Sequence, residues 1–501
     1  MSLARLLAAP DGGGRDDVLV HLGDRSWTRG WVQDRAAALA AALAAAGAGP
    51  GARVGVMLPD GPDVVAALFG VWGAGAAYVP LNPRLTGGEV EGVLAAVGPA
   101  AVVSTGDHAG RFAGWPLVVV PSPGGSPEVR PGRTGAAPAG DDDVALVQFT
   151  SGTTGRPKAV LLTHRGVSDL LDGVVRKLRA GGPAAPGLAP MPNLVPVSLS
   201  LWAGLYNVLF AFTVGAPVVL LDGFTPAGFA AAVRRHGIRS TVLPPAAMAM
   251  LTAAPGDEVG DLAPLRYVRS ITAPLSPRQA RGFKDRFGIA VMNSYGQTEI
   301  GGEIIGWSAE DARRHGDDKL GSIGRPHDGV TARVVDDAGR DAPPGEAGEL
   351  WVRTPALAAG YAGGADLSDR LSPDGWFRTG DVARIDADGF VWIEGRLSDM
   401  VNRGGLKVFP AEVEEVLRAA PGVADAAVVG VPDDRLGEVP WGFVVPAAGP
   451  LDPGVLADHC RRHLAPYKVP VGFEVVRGLP RNQVGKVLKA ELAGRATRPR
   501  P

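Results

Sequence analysis

The chain has almost no cysteine. Cys460 is the single one in 501 residues, so neither an internal disulfide framework nor a cysteine-based zinc site can be built from it. It also lacks a charge excess, with 50 basic residues against 52 acidic ones and a formal net charge of −2. No global field would gather nucleic acid or anionic lipid, which disfavours a polyanion-binding role. The first ten residues break too early for a secretory apolar segment. Charge is missing altogether from Ala180 to Leu221, and residues 197–216 are long enough to be considered as a membrane span. Ser198, Ser200, Gly204 and Asn207 lie inside that stretch, and Pro186, Pro190, Pro192, Pro196 and Pro217 divide it. A buried helix followed by an inner strand, Val218-Val219-Leu220-Leu221, is the better expectation. What remains is a cytoplasmic, enzyme-sized protein with no transmembrane segment, monomeric or homodimeric.

What is present is ordinary globular composition, 46% apolar and 20% charged, in a length suited to two to four folding units. The 71 glycines and 44 prolines are about twice the average share and are spread along the chain, which implies many short elements. Apolar runs at 53–58, 77–80, 145–149, 218–221, 240–243 and 290–293 read as buried strands, and 62–73 as a helix. Buried strands alternating with helices predict an α/β architecture with largely parallel sheets. After about Leu320 the texture changes to short strands (330–335, 348–352, 389–394) separated by Gly/Asp turns, a β-rich subdomain. The last hundred residues read as a small α+β unit. There Pro410 opens a helix carrying Val413, Val416, Leu417 and Ala420, followed by strands at 426–431 and 441–445 and a helix at 455–464. Residues 121–139, rich in Pro, Gly and Ser, read as an exposed connection.

Four segments carry chemistry. The first, Phe149-Thr150-Ser151-Gly152-Thr153-Thr154-Gly155-Arg156-Pro157-Lys158, follows a strand. Its glycines let backbone N–H groups close on anionic oxygens, its hydroxyls donate further bonds, and Lys158 supplies charge, all of which suits a polyphosphate. It is not a Walker A loop, because only Thr153 and Thr154 separate its glycines. The second, Asn293-Ser294-Tyr295-Gly296-Gln297-Thr298-Glu299, offers an aromatic to stack a base, a glycine, a hydroxyl and a carboxylate for Mg²⁺. The third pairs Arg378-Thr379-Gly380-Asp381 with Gly395-Arg396-Leu397-Ser398-Asp399. A carboxylate after a tight turn can accept both ribose hydroxyls, and Arg396 can reach a phosphate. The fourth, Pro480-Arg481-Asn482-Gln483-Val484-Gly485-Lys486-Val487, places a lysine behind a glycine. Taken singly, the last three are what surface loops commonly show.

In this order the four segments resemble the adenylate-forming superfamily of acyl- and aryl-CoA synthetases, luciferases and adenylation enzymes. Leu81-Asn82-Pro83-Arg84-Leu85-Thr86, Gly321-Ser322-Ile323-Gly324-Arg325-Pro326 and Gly404-Gly405-Leu406-Lys407-Val408-Phe409-Pro410 match as well, and the likeness runs from about residue 15 to 492. It implies a large N-terminal domain, 1–396, of two α/β sheets plus the β-rich subdomain, and a small mobile C-terminal α+β domain, 397–501. It further implies that Thr150, Ser151, Gly152, Thr153, Thr154, Gly155 and Lys158 close on the β- and γ-phosphates of ATP, and that Thr150 and Glu299 hold Mg²⁺. Ala273, Pro274, Ser294, Tyr295, Gly296, Gln297 and Thr298 would surround the nucleotide, with Tyr295 and Ala273-Pro274 flanking adenine. Asp381 would take the ribose, helped by Arg396. Lys486 would be the catalytic cation, with Glu299 and Thr298 beside it, and Asp399 the hinge. After rotation Gly404 and Gly405 would line a tunnel for a thiol, either coenzyme A or a phosphopantetheinyl carrier protein.

The acid itself is less legible. Amino-acid-activating members of the superfamily carry an Asp in the segment matching residues 196–215, whereas residues 197–207 hold neither acid nor base, which argues against amino acids and dicarboxylates. Leu201, Trp202, Tyr206 and Thr272 would line the acyl pocket, unless Trp202 and Tyr206 are simply core. Ile271-Thr272 stands where many relatives have glycines, and the histidine many carry is absent, so a small or medium apolar carboxylic acid is expected. The rival readings are an acyl-carrier-protein ligase or free-standing adenylation enzyme, a luciferase-type oxygenase, and a non-catalytic nucleotide sensor. His164 reads as a packing or capping residue and His236 as a charge at a helix C-terminus; Asn402 receives no role.

Overall fold

A computed structural model of the chain describes residues 2–8, 13–121, 125–132, 143–150, 158–179, 190–364, 366–481 and 487–496. Its largest sheet shows why these residues fold as they do. Arg53–Met57 and Ala77–Pro80 are buried at every position, pair in parallel, and are joined by the helix Pro62–Gly73, which Pro62 opens with its fixed φ. Among the described residues this sheet has eight strands, in the order Gly360–Tyr361, Lys158–Thr163, Val144–Thr150, Ala77–Pro80, Arg53–Met57, Ala101–Thr105, Leu117–Val120, Glu128–Arg130. Alternate residues of one strand serve opposite faces. Val103 packs with the helices Arg29–Ala45 and Pro62–Gly73, and its neighbour Val102 with the helix Gly87–Val97.

A second parallel sheet, Ser240–Leu243, Tyr267–Ser270 and Ala290–Asn293, is wrapped by the helices Pro226–His236, Pro245–Ala253 and Pro277–Phe287. A four-stranded mixed sheet contains Val18–Leu22 and Val218–Leu220. The antiparallel strands Thr331–Val335, Gly348–Arg353, Phe377–Ile385 and Val391–Arg396 form the β-rich part. Beyond Arg396 a separate five-stranded sheet carries the helices Pro410–Ala419 and Pro453–His463. The α/β class with a smaller C-terminal α+β part is therefore as expected.

The uncharged stretch contains the twelve-residue helix Trp202–Thr213, mostly buried, and then the inner strand Val218–Leu220. No helix of the described residues is long and apolar enough to cross a membrane. Three local expectations shift. The Pro/Gly-rich connection, where described, contains the edge strand Glu128–Arg130, whose residues are all exposed and so give no alternation to read. The strand expected from 389 begins at Val391, because the Asp386 carboxylate accepts from the backbone N–H of Asp388 and Phe390 and prolongs the turn. His236 ends its helix but lies 4.6 Å from the His21 ring, and burial followed by the neighbouring cationic groups lowers its pKa, so the charge expected there is disfavoured. His164 accepts from the Leu3 N–H at 3.2 Å and packs edge-on against Trp72, a packing role.

Candidate active site

The strands Val144–Thr150 and Lys158–Thr163 pair antiparallel with Thr150 opposite Lys158, so the Ser/Thr/Gly segment connects a hairpin whose ends are held side by side. Ser151, Gly152, Thr153, Thr154 and Gly155 lie outside the described residues. The short strand Gly360–Tyr361 pairs with Val160 and Leu161 and sets the Tyr361 ring 5.0 Å from the Lys158 ammonium. Just before it, the Ala358 N–H donates to the Glu299 carbonyl at 2.9 Å, which draws the turn Thr298–Ile300 against the same hairpin. Glu299 is buried with its carboxylate beside the Tyr361 phenol, whose pKa is raised first by burial and then by that negative charge. A cation, a phenol and a carboxylate therefore meet at the mouth of the hairpin. Among the described residues no three His, Cys, Asp or Glu side chains gather into a protein-only metal cage. One carboxylate beside a hydroxyl-rich hairpin does fit Mg²⁺, which keeps waters and takes substrate phosphates as its other ligands.

Asp381 anchors a second group. It sits in the strand Phe377–Ile385 directly opposite Arg396, whose Nε is 3.1 Å from Oδ1. The Tyr295 hydroxyl donates to Oδ2 at 2.6 Å and the Gln297 amide at 2.7 Å, and Gln297 also reaches the Thr379 carbonyl at 2.9 Å. Asp381 is 4% exposed and each of its carboxylate oxygens already has a partner, while Arg396 remains 39% exposed. Gly296, between Tyr295 and Gln297, crosses so close to the next strand that a Cβ would stand 1.7 Å from the Gly302 carbonyl oxygen; only glycine fits. The Ser294 hydroxyl donates to the Ser270 carbonyl at 2.9 Å, tying this segment to the end of Tyr267–Ser270. The chain continues there into Thr272, Ala273 and Pro274. Thr272 has φ +72°, a left-handed conformation that costs a β-branched residue about 1–3 kcal/mol.

In the C-terminal part, Asp399 closes the short turn Leu397–Asp399 between the two sheets. Gly404 and Gly405 have φ +59° and +89° in the turn joining Val401–Arg403 to Leu406–Val408, which itself calls for glycine. Asn402 does have a role here: its side-chain oxygen accepts from the Gly405 N–H at 3.0 Å. Lys486 lies outside the described residues, but Arg481 and Val487 pair across it as an antiparallel bridge. Lys407 bonds the Asp337 carboxylate at 2.5 and 2.8 Å, and Arg278 donates to the Arg418 carbonyl, joining the C-terminal part to the rest.

Trp202 and Tyr206 lie one turn apart on their helix with ring centroids 5.7 Å apart, and the Trp202 indole donates to the Gly301 carbonyl at 2.9 Å. Leu201, half-buried, precedes that helix. The segment has no charge of its own, yet Arg269 and Glu303, from two other strands, bring charge to it. Glu303 receives Arg269 at 3.2 and 3.3 Å and the His327 Nε2 at 3.2 Å. Burial alone would raise the Glu303 pKa; Arg269 and then His327 outweigh it and hold it down to about 2. Burial lowers the pKa of His327. Sequence reasoning missed Tyr361, Arg269, Glu303 and His327. For two of these a signal existed, since Arg269 places a charge inside the inner strand Tyr267–Ser270 and Glu303 opens the apolar run Ile304-Ile305.

The AMP-binding enzyme family matches residues 9–362, and the AMP-binding enzyme C-terminal domain family matches residues 412–486. A feruloyl-CoA synthase of Amycolatopsis sp is 35% identical over 448 residues, 88% of each chain. The fatty acid–[acyl-carrier-protein] ligase ScoC of Streptomyces coeruleorubidus is 32% identical over 85% of this chain and 83% of its own. Among solved structures, ATP-bound MatB from Rhodopseudomonas palustris superposes with a TM-score of 0.86 at 26% identity, covering 99% of both chains. The chain belongs to the AMP-binding enzymes, the adenylate-forming acyl-CoA ligase group.

Proposed function

We propose that the chain joins an apolar carboxylic acid to the α-phosphate of ATP, releasing pyrophosphate, and then passes the acyl group to the thiol of coenzyme A with release of AMP. The chemistry explains the need for two steps. A carboxylate has no leaving group better than oxide, whereas an acyl-adenylate expels AMP. In the first step a carboxylate oxygen attacks the α-phosphorus in line with the departing pyrophosphate, so the protein has to align the two and neutralise the growing charge. Lys158 and the hairpin hydroxyls would hold the β- and γ-phosphates. Glu299, with Thr150, would hold Mg²⁺, which supplies further neutralisation at the phosphate oxygens. Asp381 would accept the ribose hydroxyls on the lone pairs its partners leave free, with Tyr295 and Ala273-Pro274 against adenine. Lys486, brought in by the C-terminal part, would bridge the carboxylate and α-phosphate oxygens. A swivel about Asp399, breaking the Lys407–Asp337 contact, would then present Gly404 and Gly405 to the thiol.

The observation that carries this reading is the meeting of Lys158, Tyr361 and Glu299 at the hairpin mouth, a cation and a buried carboxylate where a polyphosphate and its metal would be met. The test is carboxylate-dependent exchange of pyrophosphate into ATP across fatty, aryl and branched acids. Lys486→Ala should lower it by about 10²–10³. A wild-type protein that shows no exchange with any acid would end the proposal. The likeness to ScoC favours one second reading, transfer to a carrier-protein thiol. Thioester formed only on a pantetheinylated protein, never on coenzyme A, would select it.

A further inference from the structure

The group around Glu303 contains polar atoms that the protein does not satisfy. The Tyr206 hydroxyl and the His327 Nδ1 are each buried and have no hydrogen-bond partner among the described residues, and their residues are only 7% and 4% exposed. The His327 tautomer follows from its neighbour. Nε2 faces an ionised carboxylate and must carry the proton, which leaves Nδ1 a bare acceptor. Tyr206 lies close enough to Glu303 and Arg269 for both charges to act on its phenol, and burial with the Glu303 charge keeps it protonated. Such a hydroxyl can still donate one bond and accept another. Leaving it buried and unpaired is costly, so the site has unused capacity for a partner.

Two glycines let the backbone pass close to this group, where any side chain would crowd it. A Cβ on Gly302, whose φ is +129°, would stand 3.0 Å from the Trp202 indole nitrogen and 3.7 Å from the Tyr206 ring. One on Gly306 would stand 2.6 Å from the Glu303 carboxylate and 3.0 Å from His327. The charge balance then selects the kind of partner. Arg269 and Glu303 neutralise each other, and both Glu303 oxygens are already in use. A second substrate carboxylate would have to compete with Glu303 for Arg269. An ammonium would have to compete with Arg269 for Glu303. A neutral hydroxyl competes with neither and meets the need of Tyr206 directly.

We propose that the far end of the acyl substrate carries a hydroxyl, phenolic or alcoholic, that hydrogen-bonds the Tyr206 hydroxyl, so the preferred acid has an apolar body ending in one neutral polar group. This rests on the acid-activating function proposed above, with Trp202 and Tyr206 at the acyl pocket. The experiment compares matched acids in pyrophosphate exchange, which needs no thiol: 4-hydroxybenzoate against benzoate, 4-hydroxycinnamate against cinnamate, and an ω-hydroxyalkanoate against the plain alkanoate. In the wild type, kcat/KM for the hydroxylated member of at least one pair should exceed its counterpart tenfold or more. Tyr206→Phe, which removes one oxygen and keeps the ring, should bring that ratio to within threefold of one. A ratio at or below one in every pair overturns the inference, and so does a preference that survives in Tyr206→Phe, which would leave a buried water as the partner of this phenol. Exchange with plain acids but no preference sinks this inference alone; exchange with no acid sinks the activation reading as well.

Discussion

Asp381 and Glu303 are both buried carboxylates held by an arginine, yet their surroundings differ. Around Asp381 the Tyr295 hydroxyl, the Gln297 amide and the Arg396 guanidinium all find the carboxylate. Around Glu303 the arginine and one histidine nitrogen are satisfied, while a phenol and the other histidine nitrogen are not. A closed hydrogen-bond set suits a ligand that is the same in every turnover, because preorganised groups need no rearrangement when it arrives. An open set suits a partner that the chain discriminates, since a site built to bond a hydroxyl rejects acids lacking it. On the proposed function the group around Asp381 is complete, while the group around Glu303 keeps a hydrogen bond to offer the acid.

The strongest test of this contrast is to break the buried pair. Glu303→Leu leaves Arg269 buried without a counter-charge and should cost about 3–5 kcal/mol in denaturant unfolding, whereas Arg269→Met with Glu303→Leu should recover most of the loss. A single-variant cost below about 1 kcal/mol would mean the pair is not desolvated as its burial implies. The same pair predicts a pH dependence. The Glu303 pKa is about 2 in the fold against an ordinary 4.5, so its stabilisation is complete above about pH 5 and lost as pH falls towards 2. The stability difference between wild type and Glu303→Gln should therefore shrink across that window, by about 3 kcal/mol at most. His327 acts in the same direction. Its lowered pKa makes the fold bind fewer protons than the unfolded chain, so stability drops as pH falls below about 6.5.

At the nucleotide end, Asp381→Asn keeps the shape and removes the charge. It should lower kcat/KM for ATP by about 10–100-fold, in line with about 1.5–3 kcal/mol for hydrogen bonds to a charged group. The ratio between matched acids should not move. Tyr206→Phe should do the reverse, altering the acid ratio while KM for ATP holds. If Asp381→Asn shifts the acid ratio as strongly as it shifts ATP, the two ends are one network and the comparison fails.

The unequal legibility of the two ends in the sequence has the same physical origin. The proposed nucleotide end is built from short segments at strand ends, so Tyr295, Gln297 and Thr298 are neighbours in the chain and can be read together. Likewise the strand Ala77–Pro80 follows from an apolar run, and the helix Pro62–Gly73 from an apolar run after Asp63 in its first turn, opened by Pro62. The proposed acyl end brings together Tyr206, Arg269 and Glu303 from three elements and His327 from a loop, which meet only after the sheets have packed. Residues 197–207 alone therefore suggested a pocket without charge. Tyr361 was invisible for a similar reason, since a two-residue strand pairing with Val160 and Leu161 leaves no period to detect. Asn402 escaped because capping a glycine turn leaves no pattern beyond the turn itself.

Thr272 stands between the two ends, three residues after Arg269 and one before Ala273, and it is the strained link. A left-handed φ costs threonine about 1–3 kcal/mol, while glycine accepts that φ at an entropic cost of about 0.5–1 kcal/mol. Thr272→Gly should therefore leave stability unchanged or raise it, by about 2 kcal/mol at most, as read from the unfolding midpoint. Thr272→Ala removes the hydroxyl and keeps the strain, so it should not share the gain. If the strain serves to hold the acyl and adenine walls in register, Thr272→Gly should lose a few-fold in exchange rate and relax the acid ratio even though the fold is no weaker. A glycine variant that gains stability and keeps both rate and ratio would show that the two ends are positioned independently, with the Ser294–Ser270 bond sufficient to align them.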